Sequence, residues 1–302
     1  MRVSGGRLRE PKAEEFVEGP GAPEIPCAHR HRVDRHARWC TPAYRQDFSR
    51  RRGGPAGPNS RSASSFRRTL ERPWRRSLRR KYRALLLDVY GTLVHEDDDI
   101  LRPICEQVAE LGGVEAGAVA HEWWRLFREA TVAAYGDAFR LQRDLSQDTL
   151  AETMRLFGVH GDAVALCREQ VNFWRFPPIF EDTPPFLEEV RVPVCIVSNI
   201  DRHDLESAMA HHGMVVQAVV TSEDARAYKP RPEPFARALS ALGLRPEDVL
   251  HVGDSPSADV GGAGALGIDT AWINRSGRRP PEGCRPTITV SSLRELLLRL
   301  RG

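Results

Sequence analysis

Arg83-Ala84-Leu85-Leu86-Leu87-Asp88-Val89-Tyr90-Gly91-Thr92-Leu93-Val94 reads as a buried strand that delivers a carboxylate to a tight turn. Ala84 to Leu87 is a continuous apolar run, the pattern of a strand covered on both faces of a parallel sheet. Asp88 follows at once, and Gly91 opens the turn. In open α/β sheets ligands bind beyond the carboxyl ends of the strands, so Asp88 stands where chemistry is expected. A capping aspartate after a core strand would look the same over so short a stretch. The segments downstream have to choose.

About ninety residues separate this strand from the next buried one, too many for a structureless loop. They read as helices. Ile100 to Leu111 is one, ended by Gly112-Gly113. The next covers about 116–135, with Val119, Trp123, Leu126, Phe127, Ala130 and Ala134 at helical spacing. Two more are expected at 146–157 and 162–175, separated by Gly158 and Gly161. Residues 97–179 are therefore expected to form an inserted helical cap whose Trp and Phe residues make its own core. Strands and helices then alternate. Val192–Val197 is a strand ending in Ser198-Asn199, followed by a helix over 203–212. Val215–Val220 is a strand, Glu233–Leu242 a helix, and Val249–Val252 a strand leading into Gly253-Asp254-Ser255. Ala258–Leu266 is a short helix, with strands at Thr270–Ile273 and Ile288–Val290. Ser291 or Ser292 then caps a terminal helix carrying Leu293, Leu296, Leu297 and Leu300. Repeated βα units mean an α/β fold with a doubly wound parallel sheet, built from 82–96 and 180–302.

Upstream, the character changes. Residues 1–82 carry 21 Lys and Arg against 8 Asp and Glu, whereas 83–302 carry 23 against 33. With no sustained apolar period and much Arg, Pro, Gly and Ser, residues 1–81 are expected to be a disordered basic tail. A basic tail can bind nucleic acid, and this is the only route to nucleic acid that the sequence offers. An organelle transit peptide is disfavoured by Glu10, Glu14, Glu15, Glu18 and Glu24. Cys27, His29, His31, His36 and Cys40 match no zinc spacing. Arg outnumbers Lys 41 to 3, which suggests G+C-rich coding and favours a start codon assigned too far upstream. Six cysteines without C-x-x-C spacing suit reduced thiols. No run approaches the roughly 18 apolar residues of a membrane span. A cytoplasmic monomer or homodimer is expected.

Four motifs now stand in order: Asp88-Val89-Tyr90-Gly91-Thr92, Ser198-Asn199, Lys229-Pro230, and Gly253-Asp254-Ser255 with Asp259. Together they resemble the haloacid dehalogenase (HAD) superfamily over about 83–302, a Rossmann-like core carrying a cap. The resemblance implies that Asp88 is a covalent nucleophile. It implies Mg²⁺ held by Asp88, Asp254 and the carbonyl of Tyr90, with Asp259 nearby. The chemistry agrees. A carboxylate nucleophile splits a displacement into two easier steps. Asp88 and Asp254 at adjacent strand ends could not both ionise without a cation between them, and Mg²⁺ takes oxygen ligands and clamps phosphate oxygens. Lys229 is the only lysine in 83–302, among 22 arginines. It matches the family lysine that orients the nucleophile, a place for a compact ammonium rather than a planar guanidinium. Ser198 and Thr92 are hydroxyl donors to the transferring group or ordinary turn residues. Asn199 joins them as a substrate-binding candidate.

Tyr90 departs from the phosphatase pattern, which has a second Asp there to protonate the leaving alcohol. A phenol with an ordinary pKa of about 10 serves poorly. The 2-haloacid dehalogenase branch does carry Tyr, because halide leaves without a proton. Trp124-Arg125 and Trp272-Ile273-Asn274-Arg275 also look like that branch. Arg125 falls where it places an arginine for halide or carboxylate; it and Arg128 face either substrate or solvent. Asp254 with Asp259 five positions on points the other way, to phosphatases, since these dehalogenases use no metal. The preferred expectation is a Mg²⁺-dependent hydrolase of a small phosphorylated anion. A 2-haloacid dehalogenase is the second reading, and a non-catalytic ligand-binding protein, favoured by Tyr90, the third.

Overall fold

The computed structural model describes residues 82–301; the tail, its histidines and its zinc reading lie outside the described residues. Six strands form one sheet: β1 (Ala84–Leu87), β2 (Val194–Ser198), β3 (Ala218–Thr221), β4 (Val249–Gly253), β5 (Asp269–Ile273) and β6 (Ile288–Val290). Their order is β3-β2-β1-β4-β5-β6 and every pairing is parallel. The apolar runs of β1, β2 and β4 are buried along their whole length, as covered strands should be.

Between β1 and β2 lie α1 (Asp98–Gly112), α2 (Ala116–Ala133), α3 (Gln142–Leu156), α4 (Ala163–Leu166) and α5 (Arg168–Arg175). The rest of the chain adds α6 (Thr183–Glu189), α7 (Arg202–His212), α8 (Ser222–Ala225), α9 (Pro232–Leu242), α10 (Gly262–Ala265) and α11 (Leu293–Arg301). Alternate strand residues feed two layers. Leu85, Leu87, Ile196, Leu250, Val252 and Ile273 pack with Phe186, Leu205 and Leu293 from α6, α7 and α11. Ala84, Leu86, Cys195 and Val197 pack with Phe235, Ala238 and Ala263 from α9 and α10. The inserted helices have a cluster of their own, with Ile104, Val108, Val119, Trp123, Leu150 and Met154 at its centre. Cys105, Cys167 and Cys195 are buried free thiols. No helix among the described residues is long and apolar enough to cross a membrane.

Several boundaries differ from expectation for local reasons. β2 starts at Val194 rather than Val192, because Pro193 has no N–H to give the ladder; its carbonyl instead accepts from Leu85 at 3.0 Å. β3 starts at Ala218, and Val215 is 89% exposed. The helix expected over 162–175 breaks at Cys167 into α4 and α5. α3 begins at Gln142, four residues before the expected 146, since its first N–H groups find a partner in Asp201 from the β2–α7 loop. The helix expected over 258–266 opens as a wide π turn at Pro256–Gly261.

Candidate active site

The chain winds from β1 outward to β3 and then returns to β4 on the other side of β1. That reversal opens a crevice at the carboxyl ends of β1 and β4, where doubly wound sheets bind ligands. The register puts Leu87 opposite both Ile196 and Val252. Asp88, Ser198 and Asp254 therefore emerge side by side. The Asp88 N–H donates to the Val252 carbonyl at 2.9 Å, which extends the ladder one residue beyond β1.

Lys229 is at the centre of the group. Its Nζ donates to Asp88 Oδ1 at 2.7 Å and to Asp259 Oδ1 at 2.6 Å. The Ser198 hydroxyl donates to Asp88 Oδ1 and that of Thr92 to Asp88 Oδ2, each at 3.3 Å. Asp259 also meets His251 Nε2 at 2.9 Å and accepts from the Ser255 N–H. Ligand atoms of Asp88, Asp254 and Asp259, all buried, lie within 4.8 Å of one another. Two glycines make this packing possible. A Cβ on Gly253 would sit 2.3 Å from Asp259 Cγ, and one on Gly91 would sit 2.7 Å from the Asp254 carboxylate. Gly91 also has φ +83°, a left-handed conformation that favours glycine.

Charge is unevenly met. Burial works against ionisation of Asp259, but Lys229 and His251 hold it well below the usual carboxylate range. Burial opposes the Lys229 charge too, and the two aspartates more than restore it. Burial raises Asp88, where Lys229 offsets only part of the cost and Asp259 adds to it. Asp254 is raised well above the ordinary carboxylate, by burial and then by the negative charges of Glu96, Asp259 and Asp88. Its one cationic partner among the described residues is the Arg278 guanidinium, at 3.2 Å. Solvent reaches Glu96, yet protein crowds its carboxyl; that desolvation, with Asp98 and Asp97, pushes it up to about 7. Of the three clustered carboxylates, Asp88 and Asp259 share the Lys229 ammonium, while Asp254 has only the Arg278 contact. Two of them, carrying hard oxygen donors, are left short of positive charge, and this donor set fits Mg²⁺.

The other sequence candidates fall in three places. Asn199 is engaged with the Lys229 backbone: its Oδ1 accepts from the Lys229 N–H at 2.7 Å and its Nδ2 donates to the carbonyl at 3.0 Å. The Tyr90 hydroxyl donates to the Trp174 carbonyl, and burial pushes its pKa well above the ordinary phenol. Arg125 is not drawn into the group: it is 44% exposed and is bound by Glu122 and Glu129 of its own helix. Arg128 is exposed as well. Residues that sequence reasoning missed include His251, a polar residue alone in the apolar run of β4, and Arg278, in a loop of several arginines that carries no local signal. Asp201 and Asp204 were also missed. Asp204, fully buried, takes Arg143 of α3 and Arg175 of α5 at 2.9 and 2.7 Å.

A family model described as haloacid dehalogenase-like hydrolase matches residues 82–267. The chain is 28% identical over 255 residues to a phosphoserine phosphatase of Thermus thermophilus, across 71% of this chain and 97% of that protein. It is 27% identical over 225 residues to (S)-2-haloacid dehalogenase 4A of Burkholderia cepacia, across 71% and 93%. A solved dehalogenase structure is similar with TM-score 0.59 and 25% identity, across 73% of this chain and 98% of that one.

Proposed function

The chain belongs to the haloacid dehalogenase-like hydrolases, and from that premise we propose that it hydrolyses a small phosphorylated metabolite, with Asp88 as nucleophile and Mg²⁺ as cofactor. The observation that carries this reading is Asp254: a buried carboxylate beside Asp88, short of positive charge, at a position where a metal-free dehalogenase needs none. Asp88, Asp254 and the Tyr90 carbonyl would hold the ion, with Asp259 behind Lys229. When bound, the ion would neutralise the paired carboxylates and the phosphoryl oxygens.

The protein's own groups do the rest. Lys229 and Ser198 fix Asp88 Oδ1, which leaves Oδ2 with only the 3.3 Å contact from Thr92 among the described residues. Asp88 attacks phosphorus, and the bond to the leaving oxygen breaks with its electron pair on that oxygen, giving an acyl phosphate. Water then attacks the same phosphorus, and the bond to Asp88 breaks. Inorganic phosphate and the free carboxylate result. Residues 97–179 act as the cap over the crevice, excluding bulk water while this happens.

Tyr90 favours a second reading, hydrolysis of a 2-haloacid. Its hydroxyl is committed to Trp174 and its proton is held tightly, so it offers no acid to a leaving alcohol. In that reaction Asp88 attacks carbon, halide leaves with the bonding pair, and water hydrolyses the ester. A panel of phosphoesters and 2-haloacids, assayed with Mg²⁺ and with EDTA, separates the two. Phosphate release that stops in EDTA supports the phosphatase. Halide release that persists in EDTA overturns it.

A further inference from the structure

The loop between β5 and β6 reaches back to the site. Arg275 donates to the Thr92 carbonyl at 2.8 Å and pairs with Asp182, with its guanidinium over the Phe180 ring. Three residues on, Arg278 is held at its backbone by Asn274: the Arg278 N–H donates to Asn274 Oδ1 and Asn274 Nδ2 donates to the Arg278 carbonyl, both at 2.8 Å. The loop is thus pinned at both arginines, and the Arg278 side chain is delivered to Asp254. There one Nη2 meets both Oδ2 and the backbone carbonyl, each at 3.2 Å. Its Nε is buried with no hydrogen-bond partner.

Two features of this contact matter. At 3.2 Å it is longer than the roughly 2.7–2.9 Å of a strong charge-assisted bond, so it is readily displaced. It also leaves a donor of a fork-shaped group unused beside Asp254, whose carboxylate lies within 4.8 Å of that of Asp88, although a guanidinium matches the two oxygens of a phosphate or carboxylate. A divalent cation and a guanidinium on one carboxylate repel each other, so the arrival of the ion frees the arginine. We propose that Arg278 is an anion-anchoring residue of this site, held on Asp254 until a divalent cation takes that carboxylate. The proposal rests on the metal-dependent reading above. Substrate binding then follows cation binding: before it, the guanidinium is occupied and the carboxylates repel an anion. Afterwards the same arginine faces the substrate.

The test is calorimetric titration of the full-length protein and its Arg278→Gln variant, first with Mg²⁺ alone, then with inorganic phosphate at saturating Mg²⁺. Loss of the competing charge should tighten Mg²⁺ by about tenfold, the scale of a near-surface charge interaction. Phosphate should weaken by about tenfold or more, as one charge-assisted contact is lost. Arg278→Lys should restore much of the phosphate affinity and keep Mg²⁺ close to the wild-type value. These opposite signs are what a structural role would not produce. Equal Mg²⁺ affinities in wild type and Arg278→Gln, or both ligands weakened together, overturn the proposal while leaving the metal reading intact. No Mg²⁺ binding by either protein overturns both.

Discussion

The Tyr90 hydroxyl donates to the Trp174 carbonyl at 2.5 Å, so the residue two places after Asp88 ties the turn that follows β1 to α5. Where phosphatases of the family are expected to carry an acid, this chain carries a tether. Tyr90→Phe should therefore destabilise the protein by about 1 kcal/mol, the worth of one hydrogen bond, and calorimetry would show it as a lower Tm. Tyr90→Asp tests the chemistry. It should speed alkyl phosphate hydrolysis more than aryl phosphate hydrolysis, by up to the roughly 10²–10⁴-fold of a positioned acid. If both substrate types slow equally, the missing-acid reading fails.

Lys229 bridges Asp88 and Asp259 at 2.7 and 2.6 Å, with all three side chains buried. Lys229→Arg keeps the charge but must fit a planar group between two buried carboxylates, so kcat should drop by at least about a hundredfold. Asp88→Asn should abolish turnover, since an amide is a far weaker nucleophile. Steady-state kinetics on the best substrate checks both, and an active Asp88→Asn protein would remove the mechanism.

Arg125 gives the opposite expectation. It is engaged with Glu122 and Glu129 on the exposed side of α2. Arg125→Ala should leave KM within about twofold and the Tm essentially unchanged, as exposed helix pairs contribute little. A large rise in KM would return Arg125 to the substrate.

Stability of the metal-free protein should fall as pH rises through the carboxylate range. A carboxyl whose pKa is raised on folding binds its proton more tightly in the native state. Its contribution is full below the unfolded value and lost through the folded one. For Glu96 that window runs from 4.5 to about 7, and burial raises Asp254 and Asp88 in the same direction. Asp259 is held down and stays ionised throughout, so it gives no compensating gain. Calorimetry without metal should find a lower Tm at about pH 7.5 than at about pH 5.5, and Mg²⁺ should recover more of it at the higher pH. A metal-free Tm that climbs across that window contradicts the charge assignment.

The legible parts of this fold were those written in local pattern. Apolar runs gave β1, β2 and β4, because a strand covered on both faces has no polar alternation to hide it. Asp88, Ser198, Lys229, Asp254 and Asp259 were legible as motif positions, and the switch point brings them together. What the sequence concealed was long-range pairing. The start of α3 depends on Asp201, 59 positions from Gln142. Arg278 was invisible because nothing around it signals Asp254, 24 positions away. Arg125 was ambiguous for a related reason: helical spacing shows which face it shares, but not that Glu122 and Glu129 already occupy it.

Asp204 joins two arginines of the insertion, Arg143 and Arg175, to a helix of the sheet domain, with no exposure of its own. Swinging the helices away would strand a buried carboxylate and strip the N-terminus of α3 of Asp201 at the same moment. Opening along this seam would then be an activated, electrostatically gated event. Such a gate responds to the ionic medium: salt stabilises the separated charges more than the dry, paired ones. Turnover limited by this gate would quicken with ionic strength even though every charge that attracts an anionic substrate is weakened by it.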